Sequence, residues 1–301
     1  MPAPRPIHYI IFASPKSGTE WLRRMLGAHR QVHCAETRPF GDFFDPANPT
    51  APHLSLQKYA SFLATYHAPG ADPARFERAL TARLWRQIAA AAREATGKPI
   101  YGEKITPFDG TAREVVRRLA EFDPQIRFVH LVRDGRDVVV SGMAHQRIIH
   151  ERKGTALGAE LARAVAQRRV AGPALERFGA FWEDTCAAAD EAEAIFTNFL
   201  RLRYEDLLDD THGELGRLLA FLGADAGDKA CDACARAGAF EAMSGGRARG
   251  DEDLASVVRK GVAGDWRNWF SPEQAEAFEM RCGLWLDRHG YDRAGAPAGS
   301  P

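Results

Sequence analysis

A short segment near the start of the chain combines residue types that bind phosphate. Residues 8–13 form a mostly apolar run typical of a strand, and a helix-like stretch follows a few residues later. The turn between them contains Pro15, Lys16, Ser17, Gly18 and Thr19. At a helix start, unpaired N–H groups and the positive end of the helix dipole both stabilise an anion. With a glycine for close approach and the charge of Lys16, this turn predicts a phosphate loop; an ordinary strand-to-helix connection is the alternative.

The order of residues in this turn differs from the Walker A loop of nucleotide hydrolases. There the lysine follows the last glycine, whereas Lys16 precedes Gly18 and no earlier glycine stands at the required distance. The Pro-Lys-Ser-Gly-Thr order, with a tryptophan two residues later, instead resembles the 5′-phosphosulfate loop of sulfotransferases that use 3′-phosphoadenosine 5′-phosphosulfate (PAPS). The donor-binding residues implied by this resemblance are Pro15, Lys16, Ser17, Gly18, Thr19, Glu20 and Trp21. Glu20 departs from the common threonine, and would either weaken donor affinity or point into solvent.

A second segment, residues 126–141, places positive charge at the end of a β-rich run. Arg133 stands at the predicted strand end, and Ser141 lies about two helical turns further on. The pattern resembles the strand-Arg-turn-Asp-Val-helix-Ser element with which sulfotransferases bind the 3′-phosphate of PAPS. A guanidinium can meet two phosphate oxygens in parallel, and a hydroxyl can add a third donor. In the alternative interpretation, Arg133 only pairs with a carboxylate such as Asp137.

A third segment, residues 259–271, resembles the Arg-Lys-Gly-x-x-Gly-Asp-Trp signature of the same family. The family's Arg-Lys-Gly portion, which closes over the 3′-phosphate, corresponds here to Arg259, Lys260 and Gly261. The three motifs occur in the family's order from near the start of the chain to near its end. The resemblance therefore covers essentially the whole chain.

Aromatic residues between these motifs show a weaker resemblance to the family. Tyr204 starts a segment that resembles the family's Tyr-Glu-Asp element, whose tyrosine lies near the adenine. Phe240 and Met243 resemble the family's Phe-x-x-Met stretch, whose ring packs on the base. With Trp21, which the family also places against adenine, they would form a slot for a flat heterocycle. Without the resemblance, residues at this spacing would be interpreted as ordinary core.

The resemblance implies transfer of a sulfuryl group from PAPS to an acceptor oxygen or nitrogen, with 3′-phosphoadenosine 5′-phosphate (PAP) as the other product. The leaving group gains negative charge, so the reaction needs a cation there and a base at the acceptor. We expect Lys16 to supply the cation at the leaving group.

The segment Gly102–Pro107 lacks the histidine of cytosolic small-molecule sulfotransferases. It is more similar to carbohydrate and tyrosylprotein sulfotransferases, and this similarity implies that Lys104 stabilises the sulfuryl group. We expect no metal, since there is no β,γ-phosphate pair to clamp and no carboxylate cluster.

The base is predicted from a further similarity to tyrosylprotein sulfotransferases. Their Glu-Thr-Arg sequence matches Glu36, Thr37 and Arg38, which makes Glu36 the expected general base and Arg38 a candidate acceptor contact. In the competing interpretation, Glu36 is a surface residue paired with Arg38. The proton would then pass to Glu103 or to one of His29, His33 and His145.

Composition limits the partners of the protein. Forty basic residues balance forty acidic ones in the 301-residue chain, whereas nucleic-acid and membrane-surface proteins usually carry an excess of one sign. The apolar start is too short for a signal sequence or a span, so we expect a cytoplasmic protein. The expected acceptor is a small molecule or a carbohydrate; amines, phenols, steroid-like alcohols, sugars and peptide tyrosines all remain open.

Cys231 and Cys234 form a lone C-x-x-C with no second pair to complete a zinc site, and we interpret them as two residues on one helix face.

The arrangement of elements predicts an α/β fold. β-rich runs alternate with helical stretches, which favours a three-layer α/β/α structure with a mainly parallel sheet, and the resemblance implies the P-loop NTPase-like sulfotransferase fold. The predicted strands are at about 8–13, 99–103, 126–132 and 197–203. A helix is predicted over 111–122, and the helical stretch 145–195 is predicted to form a flexible cover or the acceptor pocket.

We predict one domain, 1–292, followed by a disordered tail, 293–301, that is rich in Gly, Ala and Pro. A homodimer stays open, because Arg267–Glu276 only partly resembles the family's dimer motif. Two other functions also stay open: a P-loop kinase-like protein that uses ATP and magnesium, and a non-catalytic protein that keeps the nucleotide fold.

Overall fold

The computed structural model describes residues 7–37, 62, 65, 70, 72–107 and 110–294. Five strands of this part of the chain form one sheet: β1 (Tyr9–Phe12), β2 (Val32–Ala35), β3 (Ile100–Ile105), β4 (Arg127–Val132) and β5 (Phe199–Arg203). The helices are α1 (Thr19–Ala28), α2 (Pro73–Thr96), α3 (Ala112–Phe122), α4 (Gly135–Arg152), α5 (Ala156–Ala166), α6 (Gly172–Ile195), α7 (Tyr204–Asp209), α8 (Thr211–Leu222), α9 (Asp228–Ala237), α10 (Phe240–Ser244) and α11 (Pro272–Arg288). A 3₁₀ turn covers Asp265–Asn268.

All pairs in the sheet are parallel, in the order β2-β3-β1-β4-β5. The predicted mainly parallel sheet and its four predicted strands are confirmed. The short edge strand β2 was missed, because its four residues include His33 and Cys34 and do not stand out as an apolar run. Since all five strands run the same way, their carboxyl ends meet at one edge of the sheet.

Helices cover both faces of the sheet, which confirms the three-layer architecture. Ile10 and Phe12 of β1 point to one face and pack with α2, α3 and α6, while Tyr9 and Ile11 point to the other and pack with α1, α8 and α9. All four residues of β1 are fully buried. A strand covered on both faces is therefore continuously apolar.

The helical stretch 145–195 differs from its prediction in one respect. Its last helix, α6, places Ala188, Ala189 and Ala192 in the core beside sheet residues, so it is a core layer and not a flexible cover. Alanine lets a helix approach a sheet closely. The charged residues on the outer face of α6 led to the prediction of a surface element. The predicted helix over 111–122 is confirmed as α3.

The end of the described chain is held against α11. Arg293 makes an ion pair with Asp287 at 2.6 Å, while residues 295–301 of the predicted tail lie outside the described residues. The single-domain boundary thus stays a prediction. The segment that partly resembles a dimer motif forms the start of α11, where Ser271 and Gln274 make a reciprocal capping box. No helix in the described ranges is both long and apolar enough to cross a membrane.

Candidate active site

A cavity of about 420 Å³ opens at the carboxyl edge of the sheet. Each strand supplies one lining residue at or just after its end: Lys16 after β1, Glu36 after β2, Lys104 in β3, Arg133 after β4 and Tyr204 after β5. Because the strands are parallel, residues far apart in the sequence meet here. The sheet topology therefore assembles the site.

Of the predicted site residues that the structure describes, all but one line this cavity. The lining includes Pro15, Lys16, Gly18, Thr19, Glu20, Trp21, Glu36, Lys104, Arg133, Ser141, Tyr204, Phe240, Met243, Arg259, Lys260 and Gly261. Ser17 is not part of the lining, and is buried in the loop. Arg38, the candidate acceptor contact, lies outside the described residues. The roles of all these residues stay predictions.

The turn after β1 has the close-fitting backbone that its glycine suggested. Gly18 has a φ of 91° and precedes α1, and a Cβ added to it would lie 2.6 Å from the ring of Tyr204. Lys16 has a φ of 73°, a left-handed conformation that is uncommon for a residue with a side chain. Such conformations persist only where the surrounding structure holds them, and they cluster at functional sites.

Several buried polar atoms around this turn have no partner within the described part of the chain. They are the hydroxyl oxygens of Ser14 and Ser17 and the Nε of Arg133. Buried polar groups are nearly always hydrogen-bonded in folded proteins. Ser14 and Ser17 do not line the cavity, but Arg133 does, so its guanidinium donor without an acceptor fits an anionic ligand there, as a phosphosulfate would be.

Lys16 is surrounded by other positive charges. Burial lowers the pKa of its ammonium group to about 8, and the charges of Arg133 and Lys104 add to the shift. An anion bound between these side chains would relieve their mutual repulsion.

Arg133 bridges the phosphate loop and the Arg-Lys-Gly segment. Its Nη1 donates to the Lys16 carbonyl and its Nη2 to the Val262 carbonyl, both at 3.2 Å, and its guanidinium carbon lies 4.5 Å from the centre of the Tyr204 ring. The alternative partner Asp137 is 3.8 Å away. Arg133 thus makes the carboxylate contact and also reaches the cavity.

Asp137 has a second function in the fold, because it ties two sequence motifs together. Its carboxylate accepts from the N–H groups of Gly264 at 2.7 Å and Trp266 at 2.8 Å. The 259–271 segment is therefore anchored to the start of α4. This places Arg259 and Lys260 on the same side of the cavity as Arg133.

Arg259 and Lys260 share one buried carboxylate, Asp265. Its oxygens lie 2.7 Å from Arg259 Nη2 and 2.6 Å from Lys260 Nζ. Burial opposes ionisation of Asp265, but hydrogen bonds from Lys260, Asn268 and Arg259 hold its pKa below the usual range. Asp265 therefore orients both cations without exposing its own charge to the cavity.

Aromatic side chains form another wall. Trp21 Nε1 donates to the Gly238 carbonyl at 2.8 Å, and the Trp21 ring meets the Tyr204 ring edge-on with centres 5.4 Å apart. Phe240 is buried against Gly261, where a Cβ would come within 2.3 Å of the ring. The three predicted aromatic residues thus lie along one cavity.

The ion pair between Glu36 and Lys104 marks the opposite end. Glu36 Oε2 lies 2.7 Å from Lys104 Nζ, which is also 3.5 Å from Glu20 Oε2. Glu20 makes a shorter pair, 2.6 Å, with Arg23 on the first turn of α1. Hydrogen bonds from Arg23 outweigh burial and lower the pKa of Glu20. The acid beside the phosphate loop is therefore ionised and paired with Arg23.

The competing bases differ in position. His145 lines the cavity, whereas Glu103, His29 and His33 do not. Burial and then the charge of Lys16 lower the pKa of His145 to about 4, and its Nδ1 has no partner in the described part of the chain. His145 is therefore neutral near pH 7.

Some residues that line the cavity were not among the predicted site residues. The cavity also includes Thr106, Gln146, Ile149, Phe178, Leu208, Arg249, Val257, Val258 and Val262. Ser141, the predicted candidate His145, and Ile149 are spaced by four on α4, so extending the helix face from Ser141 would have found Ile149. Within the described ranges no three His, Cys, Asp or Glu side chains are placed to hold a metal.

Comparison with known proteins agrees with this geometry. A family model described as "Sulfotransferase domain" matches residues 6–290. The chain belongs to the sulfotransferase family. The predicted family membership is confirmed.

Two kinds of known proteins resemble this chain. Mouse (Mus musculus) sulfotransferase 2B1 is 28% identical over 169 residues, which are 53% of this chain and 48% of the relative. The chain thus spans about half the length of this relative.

Among solved structures, the sulfotransferase domain of the Synechococcus PCC 7002 olefin synthase has a TM-score of 0.55 and 20% identity, with 96% of each chain covered. Mouse sulfotransferase SULT7A1, solved complexed with PAP, has a TM-score of 0.54 and 19% identity, with 94% of this chain and 85% of that chain covered. These likenesses confirm the sulfotransferase fold.

Proposed function

We propose that this protein transfers a sulfuryl group from PAPS to a hydroxyl or amine of a small-molecule or carbohydrate acceptor. The observation that carries the proposal is the convergence of five cationic side chains on one cavity. Arg133, Arg259 and Lys260 lie together at the anchored segment, Lys104 pairs with Glu36, and the charges of Arg133 and Lys104 both act on Lys16 between them. PAPS carries anionic groups at its 5′ and 3′ positions, so cations spread along one cavity suit it.

The 3′-phosphate would be held by Arg133, Ser141, Arg259 and Lys260. Arg133 and Arg259 offer paired N–H donors, which match phosphate oxygens better than a point charge does. Trp21, Tyr204 and Phe240 would hold the adenine between their rings. Mouse sulfotransferase SULT7A1, which shares the fold, was solved complexed with PAP, the product nucleotide, which favours the same ligand here.

At the reacting end, three side chains of this chain have distinct roles. Lys16 stabilises the negative charge that develops on the leaving phosphate, and Lys104 stabilises the oxygens of the transferred group. Glu36 accepts the proton of the acceptor hydroxyl or amine. Its 2.7 Å pair with Lys104 keeps the base and the cation side by side.

Calorimetry with PAP and with ADP tests the donor proposal directly. A sulfotransferase should bind PAP without magnesium and much more tightly than ADP, since ADP has no 3′-phosphate for Arg133 and Arg259. The kinase-like alternative predicts the reverse, with magnesium-dependent binding of ADP and ATP. Tighter binding of ADP than of PAP would end the proposal.

A screen with donor labelled in the sulfuryl group tests the reaction and sorts the acceptors. Hydroxylated and amino compounds, including phenols, steroid-like alcohols, sugars and a tyrosine peptide, are incubated with the protein and labelled donor. Label should move to at least one compound and should require Glu36. PAP binding without transfer to any of them would favour a non-catalytic nucleotide-binding protein.

A further inference from the structure

Glu103 is a fully buried carboxylate beside the candidate active site, but it lines no part of the cavity. It stands on β3 directly before Lys104. A buried carboxylate is costly unless cations or several hydrogen-bond donors surround it. No ion pair to Glu103 occurs among the described residues, so hydrogen bonds must supply the compensation.

Four donors meet the two oxygens of Glu103. The hydroxyl of Tyr101 at 2.6 Å and the indole N–H of Trp85 at 2.9 Å both donate to Oε1. The remaining two donors belong to Thr37: its hydroxyl lies 2.6 Å from Oε1 and its backbone N–H lies 2.9 Å from Oε2. Glu103 is thus fixed in the core on one side and holds Thr37 on the other.

These contacts bear on Glu36 because of its place in the chain. The register between β2 and β3 ends with Ala35 opposite Glu103, so Glu36 and Thr37 lie beyond the paired part of β2. Glu36 contacts Lys104 and Thr37 contacts Glu103. Two consecutive residues on one segment therefore meet two consecutive residues on the neighbouring strand.

We propose that Glu103 is a positioning residue: by fixing Thr37 it sets the carboxylate of Glu36 against Lys104 at the reacting end of the cavity. The inference rests on the proposed role of Glu36 as base. Glu103 does not take the proton itself, since its oxygens already accept four hydrogen bonds away from the cavity. Misplacement of a reacting group by about 1 Å can cost roughly 10²-fold in rate. The gain in rate from holding Glu36 in place therefore explains why a buried carboxylate is kept at position 103.

Three substitutions test this arrangement. Glu103→Gln replaces one acceptor oxygen by an NH₂ donor, which cannot satisfy the same four donors. Thr37→Val keeps the branched shape and removes only the hydroxyl, and Thr37→Ser keeps the hydroxyl. Glu77→Gln is the matched control, because Glu77 is also a buried carboxylate, accepts from Thr81 at 2.9 Å, and does not line the cavity.

The measurement is turnover of labelled donor together with PAP affinity, in both the wild-type and the Glu36→Gln background. Water serves as the acceptor where the screen has yielded none, with released sulfate as the readout. We expect Glu103→Gln to lower turnover about 10-fold or more, to leave the Kd for PAP within about twofold, and to cost almost nothing further in the Glu36→Gln background. Thr37→Val should act in the same direction more weakly, and Thr37→Ser and Glu77→Gln should stay near wild type.

Equal losses from Glu103→Gln in both backgrounds would overturn the proposal, because a general structural role does not depend on Glu36. Wild-type turnover in both Glu103→Gln and Thr37→Val would overturn it as well. If Glu103→Gln does not fold, the variants Thr37→Val and Thr37→Ser are compared in the wild-type and Glu36→Gln backgrounds instead. A wild-type protein that fails to bind PAP would instead contradict the proposed function. The positioning is then decided by a crystal structure of Thr37→Val, in which the Glu36–Lys104 contact must be displaced.

Discussion

The two ends of the cavity are built differently. At the donor end, Asp137 anchors Gly264 and Trp266 to α4, and Asp265 orients Arg259 and Lys260. At the acceptor end, Glu36 and Lys104 form one ion pair, and the remaining wall comes from side chains such as His145 and Phe178. A braced end suits a ligand of fixed shape. Changes at the donor end should therefore act on affinity, and changes at the acceptor end on rate.

The largest effect should come from Glu36→Gln at the acceptor end. Glu36 is the proposed general base, so its loss should lower turnover about 10²-fold or more and leave the Kd for PAP unchanged. Single-turnover transfer and calorimetry measure the two quantities. Glu114→Gln, on the distant helix α3, is the control for loss of a surface carboxylate. Near-normal turnover in Glu36→Gln would pass the role of base to another residue.

Arg133→Ala should show the opposite behaviour at the donor end. Loss of charge-assisted hydrogen bonds to phosphate should weaken PAP binding about 10- to 100-fold and change ADP binding much less. Arg267→Ala is the matched control, because Arg267 is exposed on the same anchored segment, 4.5 Å from the centre of the Trp266 ring, and does not line the cavity. Equal losses for PAP and ADP would show that Arg133 does not contact the 3′-phosphate.

Lys16 connects the two ends, and its titration should appear in donor binding. With a pKa of about 8, its ammonium group is charged below that pH and loses its charge above it. PAP affinity should therefore fall as pH rises through about 8, by up to about tenfold per pH unit, and Lys16→Arg should remove the dependence because arginine stays charged. Calorimetry from about pH 6.5 to about pH 9.5 measures this. A parallel fall in both proteins would assign the titration to another group.

His145→Phe should give the smallest change. His145 is neutral near pH 7, so its loss removes at most a neutral hydrogen bond, and the KM for the acceptor should change about 2- to 10-fold with the Kd for PAP unaffected. The rate profile between about pH 5 and 7 should keep its shape, since the pKa of His145 is about 4. A loss near 10²-fold would instead make His145 the base.

Most of the donor end could be predicted from the sequence. Arg133 directly follows an apolar run, Lys16 follows one after two further residues, and Tyr204 follows the alternating run Phe199–Arg203. Such runs fold as parallel strands whose carboxyl ends converge. The acceptor end was less accessible. Glu36 follows β2, an edge strand that the sequence did not reveal, and Arg38 lies outside the described residues. The sequence did not distinguish His145 from the other candidate histidines, because only the folded position of α4 places its side chain at the cavity.

The sequence by itself determined the family and the parallel α/β fold and predicted the phosphate-binding motifs, because these depend on local order and on runs of apolar residues. Tertiary structure alone decided how the motifs are held. Asp137 meets residues 264 and 266 from more than a hundred positions away, and Glu103 meets Thr37 across two strands. A carboxylate's use depends on which donors surround it after folding, and neither spacing nor composition records those neighbours.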